Sequence, residues 1–156
     1  MIQIDVPGLR TLHLEHLVLD YNGTLAVDGE LLPEVADTLT ALARDLTIHV
    51  VTADTFGRAA QQLDRLPLRL TVLPAGEQDA AKQAYVRALG ADRVAAIGNG
   101  RNDRLMLRDA ALGVAVVLAE GAAVETLLAA DVVSTDVVAA LRLLLAPQRL
   151  VATLRR

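Results

Sequence analysis

The sequence predicts a doubly wound α/β domain, in which helices cover both faces of a parallel sheet. The chain of 156 residues is long enough for one domain with a sizeable core. Its short runs of Val, Ile, Leu and Ala are apolar throughout, as in strands that are buried on both faces. Stretches of about 8 to 13 residues with helical signals separate these runs, which favours parallel strands joined by crossover helices.

The strands are predicted from these apolar runs. Residues 2–16 differ from the rest, because Pro7-Gly8 interrupts them, and they predict a β-hairpin that leads into the sheet. Pro67 and Pro74 bound the third strand of the sheet. The predicted parallel strands are 16–20, 46–52, 68–73, 93–97, 114–118 and 131–133.

The helices are predicted from their start and stop signals. Pro33 suits the first turn of the first helix, where its missing N–H has no partner to lose. Gly90 closes the third helix, and Gly113 lies near the end of the fourth. Ser134 or Thr135 is expected to cap the last helix. The predicted helices are 33–44, 55–66, 77–89, 103–110, 122–129 and a final helix to about 146.

Composition and charge exclude several classes of protein. The chain has no cysteine, which excludes disulfides, thiolate metal sites and thiol nucleophiles. Its net charge of −4 and its lack of a basic stripe indicate no nucleic-acid partner. The sequence contains no apolar run of about 18 residues, so it predicts no membrane-spanning helix. The first residues lack the layout of a signal peptide. We therefore expect a cytoplasmic protein, with one domain over 1–156, a hairpin over 1–16 and a tail over 147–156.

Polar residues follow three of the predicted strands. Residues 20–24 follow the first strand, 52–54 end the second, and 98–103 follow the fourth. The helix before the fourth strand carries Lys82, the one Lys among fifteen basic residues. Ligands of doubly wound sheets bind at the carboxyl ends of the strands. These residues are therefore expected to lie together around a binding site.

The residue types at these positions indicate phosphoryl chemistry. The Asp20 carboxylate can attack phosphorus and carry a covalent acyl phosphate. Lys82, the Thr52 hydroxyl and exposed N–H groups of the 22–24 turn would surround the phosphoryl oxygens. Mg²⁺ prefers oxygen ligands, which the carboxylates of Asp20 and Asp103 and the Asn22 carbonyl would supply.

The order of these motifs resembles the haloacid dehalogenase (HAD) superfamily over nearly the whole chain. DYNGTLA at 20–26, Thr52, Lys82 and GNGRNDRLML at 98–107 follow one another as in that superfamily. The chain looks most like its soluble P-type ATPase-like subgroup. This resemblance implies that Asp20 is the nucleophile and a Mg²⁺ ligand. Its implied site comprises Thr52, Lys82, Gly23, Thr24, Ala53 and Asn102 around the phosphoryl group, and Asp20, Asn22, Asp103 and Asn99 around Mg²⁺.

Two positions depart from the superfamily pattern. Most HAD phosphatases have, two residues after the nucleophile, an Asp that acts as acid and base, whereas this chain has Asn22. Loss of acid–base catalysis slows a reaction by about 10²- to 10⁴-fold. Many members have Asp where this chain has Asn99, and a neutral amide there should weaken Mg²⁺ binding.

The chain also leaves no room for the cap domain by which many HAD enzymes recognise substrate. Few residues separate the first motif from the next helix, and Thr52 to Lys82 accommodate only a helix, a strand and the start of a helix. Capless relatives tend to oligomerise or to act on large substrates, so we expect a homo-oligomer. The Leu-rich stretch 141–154 is interpreted as a subunit contact.

Some polar residues are expected to have other roles. His13, His16 and His49 share no metal-ligand spacing and are expected to be structural or exposed. Asp54 would cap the helix that follows it. Arg101 would contact either substrate phosphate or solvent.

The sequence thus predicts a slow, Mg²⁺-dependent phosphohydrolase that acts on a phosphorylated substrate. Two alternatives stay open at this point. The first is a regulatory module that binds Mg²⁺ or phosphate without turnover. The second is an oligomeric scaffold that binds a protein partner.

Overall fold

The computed structural model describes residues 1–54 and 56–156. Its strands are β1 (Ile2–Val6), β2 (Arg10–Leu14), β3 (His16–Leu19), β4 (Ala26–Val27), β5 (Glu30–Leu31), β6 (Thr47–Thr52), β7 (Arg69–Val72), β8 (Val94–Gly98), β9 (Leu112–Val116) and β10 (Val132–Ser134). Its α-helices are α1 (Val35–Leu42), α2 (Ala59–Leu63), α3 (Gln78–Leu89), α4 (Arg104–Asp109), α5 (Val124–Ala129), α6 (Val137–Leu145) and α7 (Pro147–Leu154). Two 3₁₀ turns, Ala91–Arg93 and Arg101–Asp103, flank β8.

The central sheet has six parallel strands in the order β10-β9-β8-β3-β6-β7. The chain runs outward from β3 to β6 and β7, then returns to β8 on the other side of β3. The strand order therefore reverses between β3 and β8, which is the switch point where doubly wound sheets bind ligands. This arrangement confirms the predicted fold class.

The sheet separates two layers of the core. On β3, Leu17 and Leu19 face one layer and Val18 faces the other, and all three side chains are fully buried. The layer around Leu17 contains α1, α2, α6, α7 and the β1–β2 hairpin, whereas α3 and α4 cover the opposite face. Burial on both faces explains why the strands are apolar throughout and show no polar alternation.

The predicted N-terminal hairpin is confirmed. Strands β1 and β2 pair antiparallel, with Ile2 opposite Leu14 and Val6 opposite Arg10. Its inner side chains, such as Ile4 and Leu12, are buried in the core. The hairpin is therefore part of the domain's packing and not a detached arm.

The C-terminal residues are ordered as a helix where the sequence predicts only a tail. Helix α7 contacts β1, and its Leu150 is fully buried. Leu141 and Leu144 of α6 are also buried within the chain. Much of the apolar stretch 141–154 therefore packs into the chain's own core, whereas Leu145 is exposed, and the subunit contact stays a prediction.

No single helix within 1–54 and 56–156 is long and apolar enough to cross a membrane. Together α6 and α7 reach that length and composition, but they meet at an angle of 101°.

Several predicted boundaries are corrected. Helix α1 begins at Val35, so Pro33 precedes the helix and does not lie in its first turn. Asp136 caps α6, since its carboxylate accepts the Ala139 N–H at 2.6 Å, and the predicted caps Ser134 and Thr135 do not. Strand β9 begins at Leu112 and includes Gly113, which was expected near the end of the preceding helix. A side chain at Gly113 would overlap the backbone carbonyl of Leu107, so this glycine allows α4 to approach the strand.

The second predicted helix is shorter than expected. Helix α2 begins at Ala59, and Thr55, the predicted first residue, lies outside the described residues. Asp54 accepts the N–H groups of Arg58 and Ala59 at 3.0 Å, which confirms its predicted capping role. The small β4–β5 hairpin was not predicted, because two-residue strands leave no periodic signal.

A buried polar chain joins the sheet to α3. His49 of β6 is 1% exposed, and its Nε2 lies 3.2 Å from Nδ1 of His16. Its Nδ1 lies 2.9 Å from the Tyr85 hydroxyl. Burial, followed by the charges of His16 and Arg69, lowers the pKa of His49 to about 4.

This lowered pKa predicts that the fold weakens in mild acid. The unfolded chain binds a proton at His49 near pH 6.5, whereas the folded chain resists protonation until about pH 4. The stabilisation is therefore present above pH 6.5 and is lost as the pH falls toward 4. Between pH 7 and 5 the wild type should lose about 1–2 kcal/mol more unfolding free energy than His49→Gln.

Urea denaturation at both pH values measures this difference. His13 is exposed on β2, so His13→Gln is the matched control and should keep the wild-type pH dependence. Equal pH dependence in His49→Gln and the wild type would contradict the prediction.

Candidate active site

The loop after β3 is a fixed turn that presents Asp20. The Asp20 N–H continues the sheet by donating to the Ile97 carbonyl at 3.0 Å. The Tyr21 carbonyl then accepts the N–H groups of Thr24, Leu25 and Ala26. These hydrogen bonds place the Asp20 carboxylate at the carboxyl end of the central strand.

The structure corrects one expectation about this turn. The Gly23 N–H donates to the Ala26 carbonyl at 2.8 Å, and the Thr24 N–H donates to the Tyr21 carbonyl at 3.2 Å. These two N–H groups are therefore engaged within the turn and are not exposed toward a phosphoryl group. Gly23 itself has a φ of 80°, which a residue with a side chain rarely adopts.

Lys82 joins two carboxylates at the base of the site. Its side chain is fully buried, and its Nζ lies 2.7 Å from both Asp20 Oδ1 and Asp103 Oδ1. Burial alone would lower the pKa of Lys82, but the charges of Asp103 and Asp20 raise it above its ordinary value. Lys82 is therefore held as a cation, because its two carboxylate partners offset the cost of burying the charge.

The surroundings of the Asp20 carboxylate change its pKa. Burial, and then the negative charge of Asp103, raise the pKa of Asp20, while Lys82 opposes the shift. Two carboxylates share one ammonium group here, so the cluster keeps a net negative charge. A buried carboxylate with a perturbed pKa at the edge of a cavity is typical of a functional site.

Asp103 pairs with Lys82 and is not among the residues that line the cavity. Its Oδ1 is bound to Lys82, and its Oδ2 accepts the N–H groups of Asn99 at 3.0 Å and Gly100 at 2.9 Å. Asp103 is fully buried. In the structure its carboxylate holds the 98–103 loop and Lys82 in place, whereas the resemblance implies a direct Mg²⁺ ligand.

The Thr24 hydroxyl connects the two loops of the site. It lies 3.2 Å from Asn99 Oδ1 and 3.4 Å from Asp20 Oδ2, and its single proton can serve one of them. Thr24 is fully buried, so its side chain orients the two loops and does not face the cavity.

Thr52 has a hydroxyl that is prepared to donate. The Thr52 oxygen accepts the Asp54 N–H at 2.9 Å, which orients the hydroxyl and leaves its proton available. Thr52 lines the cavity at the end of β6. Asn102 also lines the cavity, and its amide donates to Gln78 Oε1 at 2.9 Å.

These elements surround a cavity of about 280 Å³ at the switch point of the sheet. The residues that line it are Asp20, Asn22, Thr52, Ala53, Phe56, Gln78, Asn99, Gly100, Asn102 and Glu120. The structure therefore brings six predicted site residues to one cavity, and Gly23, Thr24, Lys82 and Asp103 lie in the layer behind them.

Four lining residues were not predicted from the sequence: Phe56, Gln78, Gly100 and Glu120. Glu120 follows β9, so its strand-end position was a usable signal. Gly100 lies inside the GNGRND motif, whereas no pattern distinguishes Phe56 or Gln78. Arg101, for which two roles were open, is exposed and pairs with Glu125 at 3.2 Å.

The lining residues fit a hard divalent cation. Within residues 1–54 and 56–156, no group of three or more His, Cys, Asp or Glu side chains has ligand geometry. The cavity instead combines the Asp20 carboxylate with amide oxygens, which are also ligands that Mg²⁺ accepts. Both polar atoms of the Asn22 side chain are buried without a partner in the described part of the chain, and a bound species would satisfy them.

One curated relative shares part of the sequence. No family model matches the chain. Over 63 residues, it is 49% identical to the uncharacterized protein MJ0073 of Methanocaldococcus jannaschii. This match covers 40% of the present chain and 68% of the archaeal protein.

Solved structures of phosphatases share the fold. One of them is a 3-deoxy-D-manno-octulosonate 8-phosphate phosphatase of Moraxella catarrhalis, in complex with magnesium, phosphate and KDO. It matches with a TM-score of 0.69 and 18% identity, over 90% of this chain and 93% of that one. The cobalt-bound enzyme of Haemophilus influenzae has a TM-score of 0.70 and 16% identity, over 88% and 90%.

A third structure with this fold is a HAD-superfamily hydrolase. A Legionella pneumophila protein assigned to subfamily III A of the HAD hydrolases matches with a TM-score of 0.72 and 20% identity, over 90% of this chain and 86% of that one. The predicted capless HAD fold is confirmed, whereas the P-type ATPase-like subgroup stays a prediction. The chain thus has the fold of HAD hydrolases, and it belongs to one family with the M. jannaschii protein.

Proposed function

We propose that this protein is a Mg²⁺-dependent phosphohydrolase that forms a covalent phosphoryl intermediate on Asp20. The observation that carries the proposal is the buried Asp20–Lys82–Asp103 cluster, which opens to the cavity through Asp20 alone. Hydrolases of the same fold, one of them bound to magnesium and phosphate, support this proposal.

In the first step, an Asp20 carboxylate oxygen attacks the phosphorus of a phosphate ester. The new oxygen–phosphorus bond forms as the bond to the leaving group breaks. The phosphoryl oxygens would be held by residues that line the cavity with Asp20, namely Thr52, Ala53 and Asn102. Lys82 would supply positive charge beside Asp20. The leaving oxygen takes its proton from water, because the Asn22 amide has no acidic proton to give.

In the second step, water attacks the phosphorus and releases inorganic phosphate from Asp20. The proton that this water loses passes to bulk solvent, because position 22 offers no base to receive it. We therefore propose that the second step is slow, by the factor of about 10²–10⁴ that acid–base catalysis normally contributes.

The Asp20 carboxylate, the Asn22 carbonyl and Asn99 Oδ1 would hold Mg²⁺, with the charge of Asp103 behind them. When bound, the cation would offset the negative charge that Asp20 and the transferred phosphoryl group bring together. Similar structures contain magnesium in one case and cobalt in another, in agreement with a divalent cation.

The test is hydrolysis of p-nitrophenyl phosphate with Mg²⁺ or with EDTA. We expect slow, Mg²⁺-dependent release of product that Asp20→Asn abolishes. Asp45 is exposed in the turn between α1 and β6, at the end of the sheet opposite the cavity, and Asp45→Asn should keep the wild-type rate. Product release that survives in Asp20→Asn would contradict the proposal, and binding of Mg²⁺ without any turnover would favour a regulatory module.

A further inference from the structure

Asn99 uses both ends of its amide to hold other parts of the site. Its Oδ1 lies 3.2 Å from the Thr24 hydroxyl, and its Nδ2 donates to the Gly121 carbonyl at 3.0 Å. A carboxylate has no proton for the second hydrogen bond. Asn99 therefore fixes the turn after β9 by a contact that the Asp of many HAD proteins could not make.

The turn that Asn99 holds carries Glu120 into the cavity wall. The Gly121 N–H closes the turn onto the Leu118 carbonyl at 2.9 Å, and Glu120 lies between them. A methyl group on Gly23 would overlap Glu120 Oε2 and would lie 2.5 Å from Asn99 Nδ2. The Glu120 carboxylate is therefore packed over the Gly23 backbone, beside the loop that carries Asp20 and Asn22.

Glu120 has no competing partner in the described part of the chain. Its neighbour Glu125, in contrast, pairs with Arg101 at 3.2 Å and with Arg104 at 3.5 Å. Within the described residues, Asp20 and Glu120 are the two acidic side chains that line the cavity. The neutral amides of Asn22 and Asn99 line the same cavity.

We propose that Glu120 supplies the carboxylate that Asn99 lacks, and that it binds the water shell of a divalent cation held at Asp20. Mg²⁺ keeps several water ligands in protein sites, and carboxylates in the outer shell accept hydrogen bonds from such waters. In this arrangement the Asn99 amide fixes the turn after β9, and the turn places the Glu120 carboxylate at the cavity. This inference rests on the proposed function.

The test measures metal binding and needs no substrate. Titration calorimetry with MgCl₂ compares the wild type with Glu120→Gln and Glu15→Gln. Glu15 precedes β3, at the end of the sheet opposite the cavity, and forms an exposed pair with Arg93, so its variant removes the same charge elsewhere. We expect Glu120→Gln to weaken Mg²⁺ binding about 10- to 100-fold, with no change in Glu15→Gln.

Equal Mg²⁺ affinities in Glu120→Gln and Glu15→Gln, or no Mg²⁺ binding by the wild type, would overturn the inference. The unfolding temperature in EDTA shows that Glu120→Gln is folded, as expected for an exposed side chain. Failure of the proposed function has a different signature, which is Mg²⁺ binding that depends on Glu120 together with no turnover of p-nitrophenyl phosphate.

Discussion

Replacing Lys82 by Met is expected to destabilise the folded chain by about 3–5 kcal/mol, because it leaves two buried carboxylates without their shared cation. Lys82 is fully buried, and its Nζ is 2.7 Å from an oxygen of each carboxylate. Met has a similar length and fills the same space, so the loss measures charge and hydrogen bonding and not packing. Urea denaturation at neutral pH gives the difference in unfolding free energy.

Arg87→Met is the control for this experiment. Arg87 is a second cation of α3, but its side chain is 61% exposed where it pairs with Asp109. An exposed pair contributes less than about 1 kcal/mol, so this variant should stay close to the wild type. If Lys82→Met unfolds at the same urea concentration as Arg87→Met, then Asp20, Lys82 and Asp103 are not a coupled buried cluster.

Asn22→Asp is expected to speed hydrolysis of the phosphoryl intermediate by about 10²- to 10⁴-fold. The Asn22 side chain lines the cavity two residues after the nucleophile, and its polar atoms have no described partner. A carboxylate at this position can protonate the leaving oxygen and then accept the proton of the attacking water. Single-turnover release of phosphate gives the rate of this step.

Asn102→Asp is the matched control, because it places the same charge in the same cavity. Asn102 is held through its amide by Gln78, on the α3 side of the cavity, and is not next to the nucleophile in the chain. It should leave the rate of phosphate release unchanged or lower. An equal acceleration in both variants would mean that added negative charge, and not acid–base chemistry at position 22, limits the wild type.

Most of the site was predictable because it follows from strand ends. The apolar strands β3, β6 and β8 were found from composition, and parallel strands bring their carboxyl ends to one edge. Asp20, Thr52 and Asn99 are the residues at or just beyond those ends, so finding the strands was enough to bring them together.

What could not be predicted depends on contacts between distant segments. Nothing in the sequence shows that the Asp103 carboxylate turns to Lys82 and to two N–H groups of its own loop. Burial of Leu150 against the hairpin depends on how α7 meets β1, so its Leu-rich sequence was also open to a subunit contact. The role of Glu120 depends on the Asn99–Gly121 hydrogen bond across 22 residues.

The central claim is that Asp20 is phosphorylated during turnover, and intact-mass measurement tests it most directly. The protein would be incubated with Mg²⁺ and acetyl phosphate, quenched in acid and weighed beside Asp20→Asn. We expect one phosphoryl adduct on the wild type and none on the variant, with a long lifetime because Asn22 cannot activate water. An adduct of equal yield on Asp20→Asn, or phosphate release from the wild type that passes through no adduct, would contradict the claim.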